Sequence, residues 1–135
     1  MTPECAVEIV RRFAIALDRE DYKAAAGLLD GSCVYSIRGQ THRGPDEIIA
    51  SYKGNGDAAA VTFDEIRYES RVRDAGGGSI VVEFADHIRH GERRLDHSCE
   101  QRMRVEAGRI VRIDHCDLPG QRESLEQFRR ECGLG

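Results

Sequence analysis

Apolar residues recur along this chain first at helical spacing and then at every second position. Val7, Val10, Phe13, Ala14 and Leu17 share one face of a helix over residues 3–19. A Thr2 hydroxyl, Pro3 in the first turn and Glu4 near the positive end of the dipole begin it. Asp21 is placed to cap a second, shorter helix with Ala25, Ala26 and Leu29 on one side, ending near Asp30 and Gly31. "SCVYSIRG" alternates, with Cys33, Tyr35 and Ile37 on one face, and reads as a strand. "GPDEIIASYKG" reads as a helix with Pro45 in its first turn, Ile48, Ile49 and Tyr52 on its apolar side and Gly54 as its stop, and "NGDAAA" as a loop.

From Val61 the period becomes two. One face carries Ile66, Tyr68, Ser70 and Val72, then Ile80, Val82, Phe84, Asp86 and Ile88, then Leu95, His97, Cys99, Gln101, Met103 and Val105, then Val111, Ile113, His115 and Asp117. The opposite face is charged, from Glu65, Arg67 and Glu69 through to Arg112 and Asp114. Four antiparallel strands with one dry and one wet face are expected, closed by Pro119 and Gly120 and followed by a short helix bearing Leu125 and Phe128. "AGGGS" has no helix after it and is a hairpin turn, not a phosphate cradle.

Composition narrows the function. A chain of 135 residues, 40% hydrophobic, is expected to be one domain over 1–135. A net charge of −4 with no basic stripe argues against nucleic acid as a partner. No apolar run reaches membrane-span length and the N-terminus lacks a secretory pattern, so a soluble, cytoplasmic protein is expected. Cys5, Cys33, Cys99, Cys116 and Cys132 form no metal or disulfide pattern and read as small buried hydrophobes.

The element order, the "GPDEII" helix after a short strand and the closing strand "GRIVRIDHCD" resemble the nuclear transport factor 2-like superfamily, in particular its SnoaL-like branch. The resemblance implies an α+β cone: a curved antiparallel sheet wrapped around three helices, enclosing an apolar pocket, in a homodimer. At the positions where ketosteroid isomerase relatives carry a tyrosine, an aspartic acid and an aspartate, this chain has Phe13, Gln101 and Tyr35, which argues against steroid-type isomerisation. Asp117 matches the closing-strand aspartate of SnoaL-like cyclases and hydroxylases.

Turn lengths predict how the inner-face polar residues meet. A two-residue turn at Gly91-Glu92 sets Asp86 opposite His97, at the cost of facing Glu83 with Glu100 and Arg89 with Arg94 on the outer face. A three-residue connection at Glu106-Ala107-Gly108 sets His97 opposite Asp117 and Cys99 opposite His115. The expected row is Asp86–His97–Asp117, a histidine between two carboxylates in an apolar cavity, suited to proton abstraction, dehydration or water attack. A structural His–Asp pair at the sheet's rim is the competing reading. Tyr35, Tyr52, Tyr68, Gln101, Cys99, His115 and Phe13 are expected to line the pocket, and His42, His87 and His90 to lie on the surface. Neither metal nor cofactor is implied. The chain therefore reads as a pocket protein for a small, largely apolar molecule, either a cofactor-independent acid–base enzyme (isomerase, dehydratase or hydrolase type) or a non-catalytic ligand-binding or dimeric assembly module.

Overall fold

In the computed structural model, which describes residues 3–134 and their side chains from Cys5 onward, the first apolar stripe forms α1 (Pro3–Asp18) and buries Val10, Phe13 and Ala14 completely. The Thr2 cap lies outside the described residues. Asp21 caps α2 (Tyr22–Ala26) by accepting from the Ala24 amide at 3.2 Å. That helix stops short of Leu29, which opens β1 (Leu29–Ile37) because the chain there is already bonding across to the end of the sheet: the Ile110 amide donates to Leu28 at 2.9 Å. Arg38 and Gly39, both left-handed, turn β1 into β2 (Gln40–Arg43), a polar strand with no apolar alternation to announce it.

The largest departure from the sequence pattern is α3 (Gly44–Thr62), which runs straight through Gly54 and the expected "NGDAAA" loop. Ala58, Ala59 and Ala60 sustain the helix beyond the glycines, and Lys53 pairs with Asp57 one turn on at 2.7 Å. Val61, read as strand, is a helical residue left exposed; the helix ends where Phe63 turns extended and is buried with Ile88 and Phe128.

β3 (Glu65–Gly76), β4 (Ser79–His90), β5 (Arg93–Glu106) and β6 (Arg109–Asp117) follow as antiparallel neighbours, then α4 (Gln121–Glu131). The sheet order is β2-β1-β6-β5-β4-β3, with β1 parallel to β6, so the four-stranded meander is part of a curved mixed sheet of six strands, packed with four helices rather than three. The architecture is α+β. No helix among the described residues is long and apolar enough to cross a membrane.

Register decides what faces the core. Asp86 lies opposite His97, and Tyr68 opposite Asp86. The like-charged outer pairs Glu83/Glu100 and Arg89/Arg94 do form, and are relieved by partners on β3: Arg73 reaches Glu100 at 3.5 Å, and Glu65, directly opposite Arg89, pairs with it at 3.2 Å. Between β5 and β6 the expected pairing is off by two residues. The turn is the two-residue Ala107-Gly108, both left-handed, and an irregularity at Val111 adds the second residue of shift. Cys99 therefore faces Asp117, and Gln101 faces His115.

Surface and core assignments change with this packing. Cys33 is buried as expected, Cys99 and Cys132 are half-buried, and Cys116 is exposed. His42, His87 and His90 are half-buried rather than on the open surface: His42 packs on Tyr35, His87 binds Asp96 at 2.7 Å, and His90 meets the edge of Phe63.

Candidate functional site

The helices do not fill the concave side of the sheet. A cavity of about 300 Å³ lies between the helices and the inner faces of β1 and β3 to β6, with walls dominated by apolar and aromatic side chains such as Leu17, Phe63, Phe84 and Ile88. Two groups of polar residues enter it, and they differ in how much of their hydrogen-bonding capacity is already used.

The first group centres on Gln101, the one buried polar side chain among the described residues. Its carbonyl accepts from the Tyr52 hydroxyl at 2.5 Å, and its amide donates to the Tyr35 hydroxyl at 2.9 Å and to His115 Nδ1 at 3.2 Å. An accepting Nδ1 places the imidazole proton on Nε2, which donates to Asp117 at 2.8 Å. The Arg38 guanidinium then grips both Asp117 oxygens, at 2.6 and 2.8 Å. The chain Tyr52–Gln101–His115–Asp117–Arg38 spans helix, sheet and hairpin turn. The rings of Tyr35 and Tyr52 stack at 5.1 Å, and Phe13 closes on Tyr52 edge-on. Burial pushes Tyr35 up to about 12 and Tyr52 well above its ordinary value, so both hydroxyls keep their protons.

The second group is a row across three strands, Tyr68–Asp86–His97. His97 Nδ1 lies 3.9 Å from Asp86, beyond hydrogen-bond reach, and none of these three side chains has a hydrogen-bond partner among the described residues. Asp18, at the C-terminal end of α1, joins them in the wall and accepts from Ser70 Oγ at 2.6 Å. Its carboxyl is raised chiefly by burial, with the charges of Asp86 and Glu69 adding to the effect against the Ser70 hydrogen bond. Burial first, and then Asp86, pushes Tyr68 up to about 12.

Of the residues singled out from sequence, Tyr35, Tyr52, Tyr68, Gln101, Cys99, His115, His97 and Asp86 line this cavity. Phe13 stands behind the wall in the core. Asp117 is not beside His97: the two-residue shift of β6 sets it opposite Cys99, where Arg38 and its strand neighbour His115 donate to it, and the expected row of three is a pair extended by Tyr68 instead. Sequence reading missed Asp18, Ser70 and Arg38. Asp18 did leave a signal, because a carboxylate at a helix C-terminus opposes the dipole and needs another reason to be there. Arg38 left none; its partner lies 79 residues away.

The Arg38–Asp117 fork leads to a pH prediction. Hydrogen bonds from Arg38, then His115, hold the Asp117 carboxyl well below the usual carboxylate range. A depressed folded-state value means that the stabilisation is complete above the unfolded value of about 4 and is lost as pH falls below it. Asp117→Asn is therefore expected to cost about 1–2 kcal/mol at neutral pH, moderated by the half-exposed Arg38. In urea titrations the gap to the unmodified protein narrows steadily between pH 4 and pH 2, and a gap independent of pH there contradicts the assignment.

Residues 10–113 match the family model described as a SnoaL-like domain. No curated protein matches the sequence. Among solved structures, an LEH-like epoxide hydrolase of M. tuberculosis is similar at 19% identity, with 97% of this chain and 96% of that one covered and a TM-score of 0.68. A putative polyketide cyclase of Xanthomonas campestris pv. campestris is similar at 15% identity, over 93% and 97% of the two chains, with a TM-score of 0.70. Bal32a, from a soil-derived mobile gene cassette, is similar at 23% identity over 83% and 88%, with a TM-score of 0.67. At these identities the likeness is one of fold.

Proposed function

The chain belongs to the SnoaL-like domain family, and on that footing we propose that it is a small-molecule pocket protein whose ligand reacts by cofactor-independent acid–base chemistry of the isomerase, dehydratase or hydrolase type. One observation carries the reading: in a mostly apolar cavity the Gln101 group is internally satisfied, while His97, Asp86 and Tyr68 line the space with no hydrogen-bond partner among the described residues. Polar groups held in an apolar wall without partners are costly unless something else occupies them.

In this reading His97 exchanges the proton with the ligand, and Asp86 stabilises the imidazolium that forms. Asp18, held by Ser70, offers a second acid whose raised value favours keeping a proton longer than an ordinary carboxylate. Asp117 acts at one remove, fixing His115 and Arg38. The epoxide hydrolase and polyketide cyclase named among the structural relatives are in keeping with a small molecule in such a cavity. Homodimerisation through the outer face of the sheet, where acids and arginines alternate, belongs to the same proposal.

Mass spectrometry of the purified protein, native and then denatured, tests the cavity. A co-purifying small molecule is expected, reduced in a Phe84→Trp variant that fills the space. A ligand retained undiminished by that variant would place binding elsewhere and overturn the proposal.

A further inference from the structure

The charges around the cavity are unequal, and the inequality speaks to the class of ligand. Among the described residues Arg38 is the only lysine or arginine in the wall, and its guanidinium is taken two-pronged by Asp117. Opposite it, Asp18 and Asp86 face the same space with no cation to answer them: Asp18 has the neutral Ser70 hydroxyl, and Asp86 has only His97 at 3.9 Å. The surroundings deepen this field. Glu20 and Asp57 lie close enough to act on Tyr22 and Tyr68, and Glu69 acts on Asp18. The nearby Lys53 is paired with Asp57 at 2.7 Å.

Two carboxylates sharing a low-dielectric cavity repel one another, and a positive charge between them removes both that repulsion and their desolvation cost. A carboxylate ligand would instead add a third negative charge. The side chains between the acids suit a cation as well, since tyrosine faces attract one and a neutral imidazole nitrogen accepts a hydrogen bond. Asp18, Asp86 and His97 are three acceptor groups, one for each N–H donor of a primary ammonium.

We propose that the cavity takes a small amine in its protonated form, its ammonium among Asp18, Asp86 and His97 and its apolar body against Phe63, Phe84 and Ile88. This inference rests on the pocket reading above and narrows it from a largely apolar molecule to an apolar-bodied cation. The field at the mouth also steers cations inward, so binding weakens as salt rises.

Benzylamine, benzyl alcohol and benzoate share one apolar body and differ in charge. In isothermal titration at pH 7, benzylamine is expected to bind the intact protein at least about tenfold more tightly than benzyl alcohol, with benzoate not binding. Asp86→Asn and Asp18→Asn, each confirmed folded by its thermal transition, are expected to remove most of that preference by weakening benzylamine far more than benzyl alcohol. Equal binding of benzyl alcohol and benzylamine, or an amine preference that survives in both variants, overturns the cation assignment and leaves the pocket reading standing. Failure of all three probes also overturns it; the mass-spectrometric search for a co-purified molecule then decides the pocket reading separately.

Discussion

Replacing Gln101 with Leu is expected to destabilise the protein by about 3 kcal/mol, because the loss is set by what the glutamine leaves behind rather than by the glutamine itself. Its residue is 3% exposed, and its two polar atoms serve Tyr52, Tyr35 and His115. Leucine fills nearly the same volume, so the cavity term is small and the effect comes from three buried groups deprived of a partner, at about 1 kcal/mol or more each. Urea unfolding measures the loss. The double variant Gln101→Leu/Tyr52→Phe deletes one orphaned hydroxyl along with its partner and is expected to recover about 1 kcal/mol relative to the single change. A single-variant loss below about 1 kcal/mol would mean that the network adds nothing beyond packing.

Replacing His97 with Ala is expected to leave stability within about 1 kcal/mol of the unmodified protein, since no hydrogen bond is broken. Turnover of the molecule recovered from the cavity is expected to fall by about 10² to 10⁴, the range for a lost general acid–base group, and the bell-shaped pH profile to lose one limb. At His97 the expected loss is thus in rate, whereas at Gln101 it is in stability. Unchanged turnover in a folded His97→Ala protein assigns the chemistry to other groups and favours the non-catalytic binding module. A large loss of stability with no loss of ligand marks His97 as a packing residue.

Periodicity located the sheet because burial on one face demands alternation over long runs: Ile80, Val82 and Met103 are all 1% exposed or less, and Met103 sits between Arg102 and Arg104, although Val81 is buried on the opposite face as well. It failed where packing overrides local preference. Gly54 and Gly56 read as a helix stop, yet the alanines that follow and the burial of Phe63 carry α3 another eight residues past Gly54. β2 is invisible in the pattern because its side chains are mostly exposed and only hydrogen bonds to β1 define it.

The candidate site divides along the same line. Asp86 opposite His97 follows from a two-residue turn with glycine first, a local geometry that sequence expresses directly, and the cavity-facing side of Tyr68, Cys99, Gln101 and His115 follows from parity alone. Parity held for the far half of β6, where a shift of two residues keeps Ile113, His115 and Asp117 on their face, but it broke at the irregularity: Ile110 is fully buried in the core, and Val111, expected to face inward, is not part of it. What the chain by itself determined was therefore which residues look inward and that acids and histidines are among them. Apart from Asp86 and His97, tertiary structure decided who meets whom. The two-residue shift of β6 took Asp117 from opposite His97 to opposite Cys99, the hairpin turn brought Arg38 across to hold it, and the end of α1 delivered Asp18 to Ser70. Each of those pairings joins segments far apart in sequence, and their distances are fixed only once backbone register and helix docking are complete.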